Sequence, residues 1–153
     1  NVKGIMTTAT YDKESKDFII NTPCKQAMKF WIGGAAKSSN VSVTFAQLII
    51  DGKEYGPHCF IVPLRCRKQH LPLPGITVGD CGVKAGLNGL DNGFIMYDNV
   101  RIPKANFLNR LSDITDDGTF KSVMQNSDLR FALSLAGLST GRIALCSNVK
   151  QNV

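Results

Sequence analysis

Lys29–Asn40, with the sequence KFWIGGAAKSSN, is the stretch around which the chain is organised. It contains Trp31, the only tryptophan, followed by Gly33, Gly34 and a run of small and polar residues. Glycine lets a ligand approach the main chain closely, so a flat ring beside two glycines can form a wall for a planar ligand. A tight turn beside a core tryptophan accounts for the same pattern, and these residues alone leave both interpretations open.

Short strands are predicted on both sides of this stretch. Upstream, Gly4–Tyr11 and Phe18–Asn21 are rich in β-branched and aromatic residues and predict a hairpin, and Ala27–Ile32 predicts a strand that leads into the glycines. Downstream, Val41–Ile50 alternates between apolar and polar residues and ends at Asp51-Gly52, a dipeptide that favours a type I′ turn. The strand that follows this turn, residues 55–64, should therefore pair back on it.

The remainder of the chain changes from strand to helix patterns. Residues 75–82 and 93–103 predict two further extended segments, separated by a glycine-rich loop, and residues 106–121 predict a polar link. From Ser127 the apolar period becomes helical, with a cap at Ser127 or Asn126 and one face formed by Phe131, Leu135, Leu138, Leu145 and Val149. We expect a mainly β domain, residues 1–122, followed by one long helix that starts a helical domain, residues 123–153.

The amino-acid composition limits the kinds of molecule that this chain is expected to bind. Eighteen Lys and Arg against twelve Asp and Glu give a net charge of +6, which suits an anionic partner such as a phosphate-bearing cofactor or CoA. The basic residues are scattered without interleaved aromatic residues, so nucleic acid is not predicted. The five cysteines are odd in number and predict reduced, buried thiols, and no apolar run is long enough to predict a membrane span.

Several catalytic and binding motifs fail on inspection. Gly137–Gly141 matches the Gly-x-Ser-x-Gly of hydrolases, but it lies in a helical pattern and both histidines precede it. Two small residues four apart suit close helix packing better. Lys37-Ser38 lacks the glycines of a phosphate-binding loop, and His58 and Cys59, adjacent on a strand, point to opposite faces and do not share a metal ion easily.

A set of longer blocks resembles one known family. Six blocks are similar, in amino-acid sequence and in their order along the chain, to the middle domain of the peroxisomal acyl-CoA oxidases. They are Thr7–Asp12, Phe30–Gly34, Lys37–Asn40, Pro72–Asp80, Leu90–Gly93 and Val100–Pro103. The amino-acid sequence of Phe94–Asp98 is most similar to that of the branched-chain (pristanoyl) type of oxidase or of an acyl-CoA oxidase-like relative. The resemblance extends over about the whole chain.

This resemblance implies a fold and a chemistry. The fold is a β-barrel middle domain followed by the first helix of a C-terminal helical domain. The chemistry is that of an FAD-dependent oxidase of peroxisomal β-oxidation, which desaturates fatty acyl-CoA to trans-2-enoyl-CoA and reduces O2 to H2O2. A homodimeric parent protein is implied as well.

The resemblance also assigns residues. Trp31 matches the tryptophan that flanks the flavin, and Gly33 or Gly34 matches the residue whose main chain faces the flavin edge. The cofactor-binding residues implied are Trp31, Ile32, Gly33 and Gly34. Arg130 matches an arginine near the substrate thioester, although a solvated cation at a helix start explains it equally well. The catalytic Glu of the family falls outside this chain, which implies that these residues alone are inactive. An alternative is a non-catalytic oxidase-like binding or interaction domain.

Overall fold

The computed structural model describes residues 4–144, apart from the side chain of Leu138. Within that range, ten strands and one α-helix follow one another along the chain. They are β1 (Thr8–Asp12), β2 (Asp17–Asn21), β3 (Lys29–Gly33), β4 (Val41–Ile50), β5 (Lys53–Pro63), β6 (Ile76–Asp80), β7 (Asn92–Tyr97), β8 (Val100–Pro103), β9 (Ser112–Ile114), β10 (Phe120–Ser122) and α1 (Ser127–Leu135). The predicted mainly β fold with a C-terminal helix is confirmed.

The strands form three sheets. Five strands lie in the order β5-β4-β1-β2-β8, three in the order β3-β7-β6, and β9 pairs with β10. The pairings between these strands are antiparallel, except that of β1 with β4, which is parallel. Within residues 4–144 the sheets do not close into one hydrogen-bonded barrel, so the predicted barrel is an arrangement of packed sheets.

The longest hairpin has the predicted turn. Asp51 and Gly52 both have positive φ, 51° and 74°, as a type I′ turn requires, and β4 pairs with β5 from Val41 opposite Pro63 to Ile50 opposite Lys53. Burial alternates over residues 44–50 of β4 and 58–62 of β5, which places every second side chain of these stretches in the core.

The core is centred on three phenylalanine rings. Phe18 of β2, Phe60 of β5 and Phe107 are all buried, and their ring centroids lie 5.0 to 5.5 Å apart. Aromatic rings at such separations add packing energy to the burial of their area. Three polar contacts link the five-stranded sheet to the β3-β7-β6 sheet. The Tyr97 hydroxyl lies 2.6 Å from that of Thr44 and 3.4 Å from that of Ser42, and Lys29 Nζ donates to the Phe45 carbonyl at 2.7 Å.

Three segments differ from the sequence prediction. The first strand begins at Thr8 rather than Gly4. The extended segment 93–103 is divided into β7 and β8 by a turn in which Asn99 has a φ of 50°. The polar link 106–121 contains β9 and the start of β10, because a short hairpin can form from polar residues when it packs against an existing core.

The C-terminal helix begins where the sequence indicates. The Asn126 side chain, not that of Ser127, is the cap: its Oδ1 accepts hydrogen bonds from the Asp128 and Leu129 amides at 2.9 and 3.2 Å. A 3-10 turn, Ala136–Leu138, interrupts the helical run, which continues over residues 139–144. Leu145 and Val149 of the predicted face lie outside the described residues.

The cysteines are free but less buried than predicted. Cys24, Cys59, Cys66 and Cys81 are free thiols of intermediate exposure, and Cys146 lies outside the described residues. Burial raises the pKa of Cys59 to about 11. Across residues 4–144, no helix combines the length and apolar character needed to cross a membrane.

Candidate functional site

Trp31 lies on the surface, in a bulge of β3. Lys29 pairs with Ile95 and Ile32 with Gly93, so Phe30 and Trp31 together face one residue of β7, Phe94. The bulge breaks the alternation of faces, and Trp31, with a φ of 63°, is 53% exposed. The interpretation of Trp31 as a core residue is therefore wrong, and the indole is available to a ligand.

The loop after Trp31 is held by one carboxylate. Asp91 accepts hydrogen bonds from the Ala36, Lys37 and Ser38 amides at 3.1, 3.0 and 2.9 Å and from the Ser38 hydroxyl at 2.8 Å. Partial burial acts to raise the pKa of Asp91, but the hydrogen bonds from Ser38, Lys37 and Ala36 together hold it below the ordinary value. Asp91 therefore orders the loop as an ionised group.

A buried arginine holds the same loop from the other side. Arg65, 5% exposed, donates to the Ser39, Ala35 and Ala36 carbonyls at 2.6 to 2.7 Å. Asp91 binds amides and Arg65 binds carbonyls of one short segment, so the segment has little freedom to move. Neither role is predicted from the sequence, where Leu90–Gly93 is only one of the blocks that resemble the family.

The glycines at the site differ in what they permit. A Cβ at Gly33 would meet nothing within 4 Å, whereas one at Gly34, whose φ is 76°, would collide with Ser39 Oγ. A Cβ at Gly93 would come within 2.5 Å of the Ala36 amide nitrogen. Gly34 and Gly93 are thus needed for the backbone, and Gly33 alone of these three leaves open space beside Trp31.

Lys84 covers part of the indole. Its Nζ lies 5.7 Å from the centroid of the Trp31 ring and donates to the Leu90 carbonyl at 2.8 Å and to Asn92 Oδ1 at 2.7 Å. Asn92 is paired with Gly33 across the sheet. No motif in the sequence points to Lys84.

Arg130 is placed differently from the predicted solvated cation. It is 4% exposed, and its guanidinium donates to the Met124 carbonyl at 2.8 Å and the Tyr55 carbonyl at 2.6 Å. Of the three guanidinium nitrogens of Arg130, only Nε is buried without a hydrogen-bond partner among the described residues. Arg130 therefore joins the start of α1 to the beginning of β5, and these hydrogen bonds do not connect it to the Trp31 loop.

A cleft of about 730 Å³ lies beside Arg130. Its walls come from the middle of β5, the segment 108–112 and the helical run over residues 130–137, and include Pro57, Leu108 and Leu133. His58, also in the wall, is buried and lies 3.3 Å from the Ser112 hydroxyl through Nε2. Burial lowers the pKa of His58 to about 4, with a smaller lowering from Arg130, so the ring is neutral at pH 7.

The motifs rejected from sequence have no support in the structure. Gly137 and Gly141 lie in the helical segment rather than at a strand-to-helix turn. Within the part of the chain that the structure describes, no three His, Cys, Asp or Glu side chains come together as metal ligands.

The fold is shared with solved acyl-CoA oxidases. Acyl-CoA oxidase 1 from Yarrowia lipolytica matches 94% of this chain and 20% of its own, with a TM-score of 0.85 and 45% identity. Acyl-CoA oxidase-2 from Caenorhabditis elegans, solved with FAD, ascaroside-CoA and ATP, matches 80% of this chain and 18% of its own, with a TM-score of 0.78 and 43% identity. The class of protein is therefore that of the acyl-CoA oxidases.

Comparison with known sequences points to the same class of protein. Acyl-coenzyme A oxidase 3 of Arabidopsis thaliana is 45% identical over 97% of the chain, and human peroxisomal acyl-coenzyme A oxidase 3 is 46% identical over 96%. The acyl-coenzyme A oxidase-like protein of Mus musculus is 46% identical over 95%. The chain spans 21 to 23% of the length of these relatives. No family model matches the chain.

This chain belongs to the peroxisomal acyl-CoA oxidase family. The family resemblance found in the sequence is confirmed, including the similarity to an acyl-CoA oxidase-like relative.

Proposed function

We propose that this chain is the flavin- and acyl-CoA-binding middle segment of an FAD-dependent, peroxisomal acyl-CoA oxidase. The observation that carries the proposal is the exposed Trp31 beside the open Gly33, on a loop that Asp91 and Arg65 hold in place. The indole offers a flat apolar surface, and the space at Gly33 accommodates a planar group next to it. These residues therefore fit an isoalloxazine ring.

Bound FAD would supply the redox chemistry, accepting hydride from the fatty acyl-CoA and passing electrons to O2, with trans-2-enoyl-CoA and H2O2 as products. The residues of this chain would supply placement. Trp31 would pack against the ring, and Ile32, Gly33 and Gly34 would contact its edge through the main chain. The group that removes the substrate α-proton, a Glu in this family, would come from another part of the parent protein, so residues 1–153 alone should be inactive.

Arg130 is proposed as the substrate-side residue. Its two terminal nitrogens are engaged by backbone carbonyls, which fixes the guanidinium at the start of α1. Arg130 also lines the cleft of about 730 Å³, which gives a thioester or part of the CoA chain room beside it. Tethering of the guanidinium supports a fixed contact rather than a flexible surface cation.

The domain boundary and the assembly follow from the same proposal. Residues 1–122 would be the β domain and residues 123–153 the start of the helical C-terminal domain, in a homodimeric parent protein. The change from β10, which ends at Ser122, to the cap of α1 at Asn126 supports this boundary.

The test uses the full-length protein. Purified protein should show the absorption band of oxidised flavin at about 450 nm and release peroxide with acyl-CoA esters. Straight-chain and 2-methyl-branched esters would be compared, because the sequence of Phe94–Asp98 resembles the branched-chain type of oxidase or an oxidase-like relative. A Trp31→Ala variant should lose flavin, whereas Val83→Ala, at a residue 98% exposed, should retain it.

A second function is supported by the similarity to the mouse oxidase-like protein. The segment would then be a binding or interaction domain without turnover. Full-length protein that is colourless and releases no peroxide would favour this function over the first.

A further inference from the structure

The loop 82–90 has one residue that turns inward. Every residue from Gly82 to Leu90 is exposed except Lys84, which is half-buried. Lysine ordinarily extends into water, since it has a long side chain and a strongly hydrated ammonium group. Its placement against the protein in an otherwise exposed loop therefore needs a specific cause.

Hydrogen bonds hold both the backbone and the ammonium of Lys84. The Lys84 amide donates to Asn88 Oδ1 at 2.8 Å, and Asn88 Nδ2 donates back to the Lys84 carbonyl at 2.9 Å. The ammonium donates to the Leu90 carbonyl and to Asn92 Oδ1. Four hydrogen bonds thus hold one residue, which offsets the entropy lost when a lysine is ordered.

The ammonium is held over Trp31. It lies 5.7 Å from the ring centroid, within the range of a cation–π contact. Among residues 4–144 it makes no salt bridge with a carboxylate. Asn92 of β7 is the partner of Gly33 of β3 in the sheet. The hydrogen bond from Lys84 to Asn92 therefore joins the lysine to the strand pair that carries Trp31.

We propose that Lys84 is a positioning residue of the flavin site, which covers one face of the Trp31 indole and fixes its plane so that the other face receives the cofactor. The bulge alone leaves Trp31 53% exposed, and a half-exposed indole would otherwise rotate about its side-chain torsions. The cofactor part of this inference rests on the proposed function. The contact between Lys84 and Trp31 is independent of the proposed function.

The test uses full-length protein labelled with 5-fluorotryptophan. The fluorine resonance of Trp31 is assigned by its loss in Trp31→Phe. Lys84→Met removes the charge and keeps the apolar stem, and Lys84→Arg keeps a cation. Lys53→Met is the matched control, because Lys53 Nζ lies 5.2 Å from the centroid of the Tyr55 ring and makes the same kind of contact away from Trp31.

We expect Lys84→Met to shift and broaden the Trp31 resonance and to weaken FAD binding about fivefold, the size of one cation–π contact. Lys84→Arg should restore both, and Lys53→Met should change neither. Asn88→Ala removes the two hydrogen bonds between the Asn88 side chain and the Lys84 backbone and leaves the ammonium group intact. It should shift the Trp31 resonance in the same direction, and it replaces Lys84→Met as the test variant if Lys84→Met does not fold.

An unchanged Trp31 resonance in Lys84→Met, or in Asn88→Ala where that variant replaces it, would overturn the positioning role. A shifted resonance with unchanged FAD affinity would overturn the part that concerns the cofactor. Wild-type protein that binds no FAD would instead overturn the proposed function, and the resonance would still decide whether Lys84 orients Trp31.

Discussion

Trp31 shows how one backbone conformation decides the use of a side chain. A bulky residue with positive φ is rare and costs about 1 to 3 kcal/mol. The conformation persists because the bulge opposite Phe94, the carboxylate of Asp91 and the guanidinium of Arg65 fix the chain after it. Strain of this kind is concentrated at functional sites, which agrees with the role proposed for the indole.

Gly33 provides the sharpest test of the oxygen reaction. Under the proposed function, we expect the open space at Gly33 to leave room for O2 beside the flavin, and a Thr side chain there to fill that space and offer the flavin a hydrogen bond. Because a Cβ at Gly33 meets nothing, Gly33→Thr should fold, and we expect it to slow the reaction with O2 at least about tenfold. Stopped-flow mixing with O2 measures the rate. Gly33→Ala separates the hydroxyl from added bulk, and an unchanged rate in Gly33→Thr would refute the hypothesis.

Asp91 should stabilise the protein as well as the site. Asp91→Ala leaves the Ala36 and Lys37 amides without their acceptor, takes from the Ser38 amide one of its two acceptors, and should lower the free energy of unfolding by about 1 to 3 kcal/mol. Since its pKa is lowered in the folded state, the contribution of Asp91 is present above pH 3.8 and is lost as the pH falls below it. Urea unfolding at pH 7 measures the loss. Asp98→Ala is the control, because that exposed side chain accepts from Asn99, its own neighbour in the chain, and an equal loss in both variants would contradict the prediction.

The β3 strand and the α1 helix differ in how they are fixed. β3 is short and bulged, and its conformation depends on β7 and on the loop that Asp91 and Arg65 hold. α1 has a local start signal, because Asn126 satisfies two amides of the first turn by itself. Its position on the sheet depends on tertiary contacts: Arg130 to Tyr55, and the edge-to-face contact of Phe131 with Phe45.

Removal of the cap should therefore loosen the start of α1. We expect Asn126→Ala to destabilise the protein by about 1 kcal/mol and Asn126→Asp to retain most of the stability, because a carboxylate also accepts from the free amides. Amide hydrogen exchange of the first turn measures the effect. Ser127→Ala should have little influence; a larger effect from Ser127 than from Asn126 would show that the cap is assigned to the wrong residue.

Two of the three sheets meet around His58. Its ring lies 5.6 Å from both Phe107 and Phe120, and its two nitrogens contact the Gly56 carbonyl and the Ser112 hydroxyl. The junction therefore joins β5, the β9–β10 hairpin and the segment that follows β8. A charge placed there would have no acidic partner among these groups, so the molecule as a whole is sensitive to protonation of one side chain.

Stability should consequently depend on pH below neutrality. The unfolded His58 takes up a proton below pH 6.5 and the folded one only near pH 4, so the free energy of unfolding should fall as the pH decreases between these values, by at most about 1.4 kcal/mol per pH unit. Urea unfolding of wild type and His58→Gln across this range measures the slope. The slope should diminish in His58→Gln and persist in His70→Gln, and its persistence in both would contradict the assignment.

The sequence by itself determined most of the elements and the family, but it did not predict β9, β10 or the division of residues 93–103 into β7 and β8. Alternation, turn dipeptides and the change of period at Ser127 are local signals, and they predicted the β4–β5 hairpin, the order of strands along the chain and the capped helix. Local signals could not reveal the bulge that exposes Trp31, the carboxylate and guanidinium that hold its loop, or the contact with Lys84. Those features depend on pairing between β3 and β7, which brings residues about sixty positions apart into contact, and only the tertiary structure decided them.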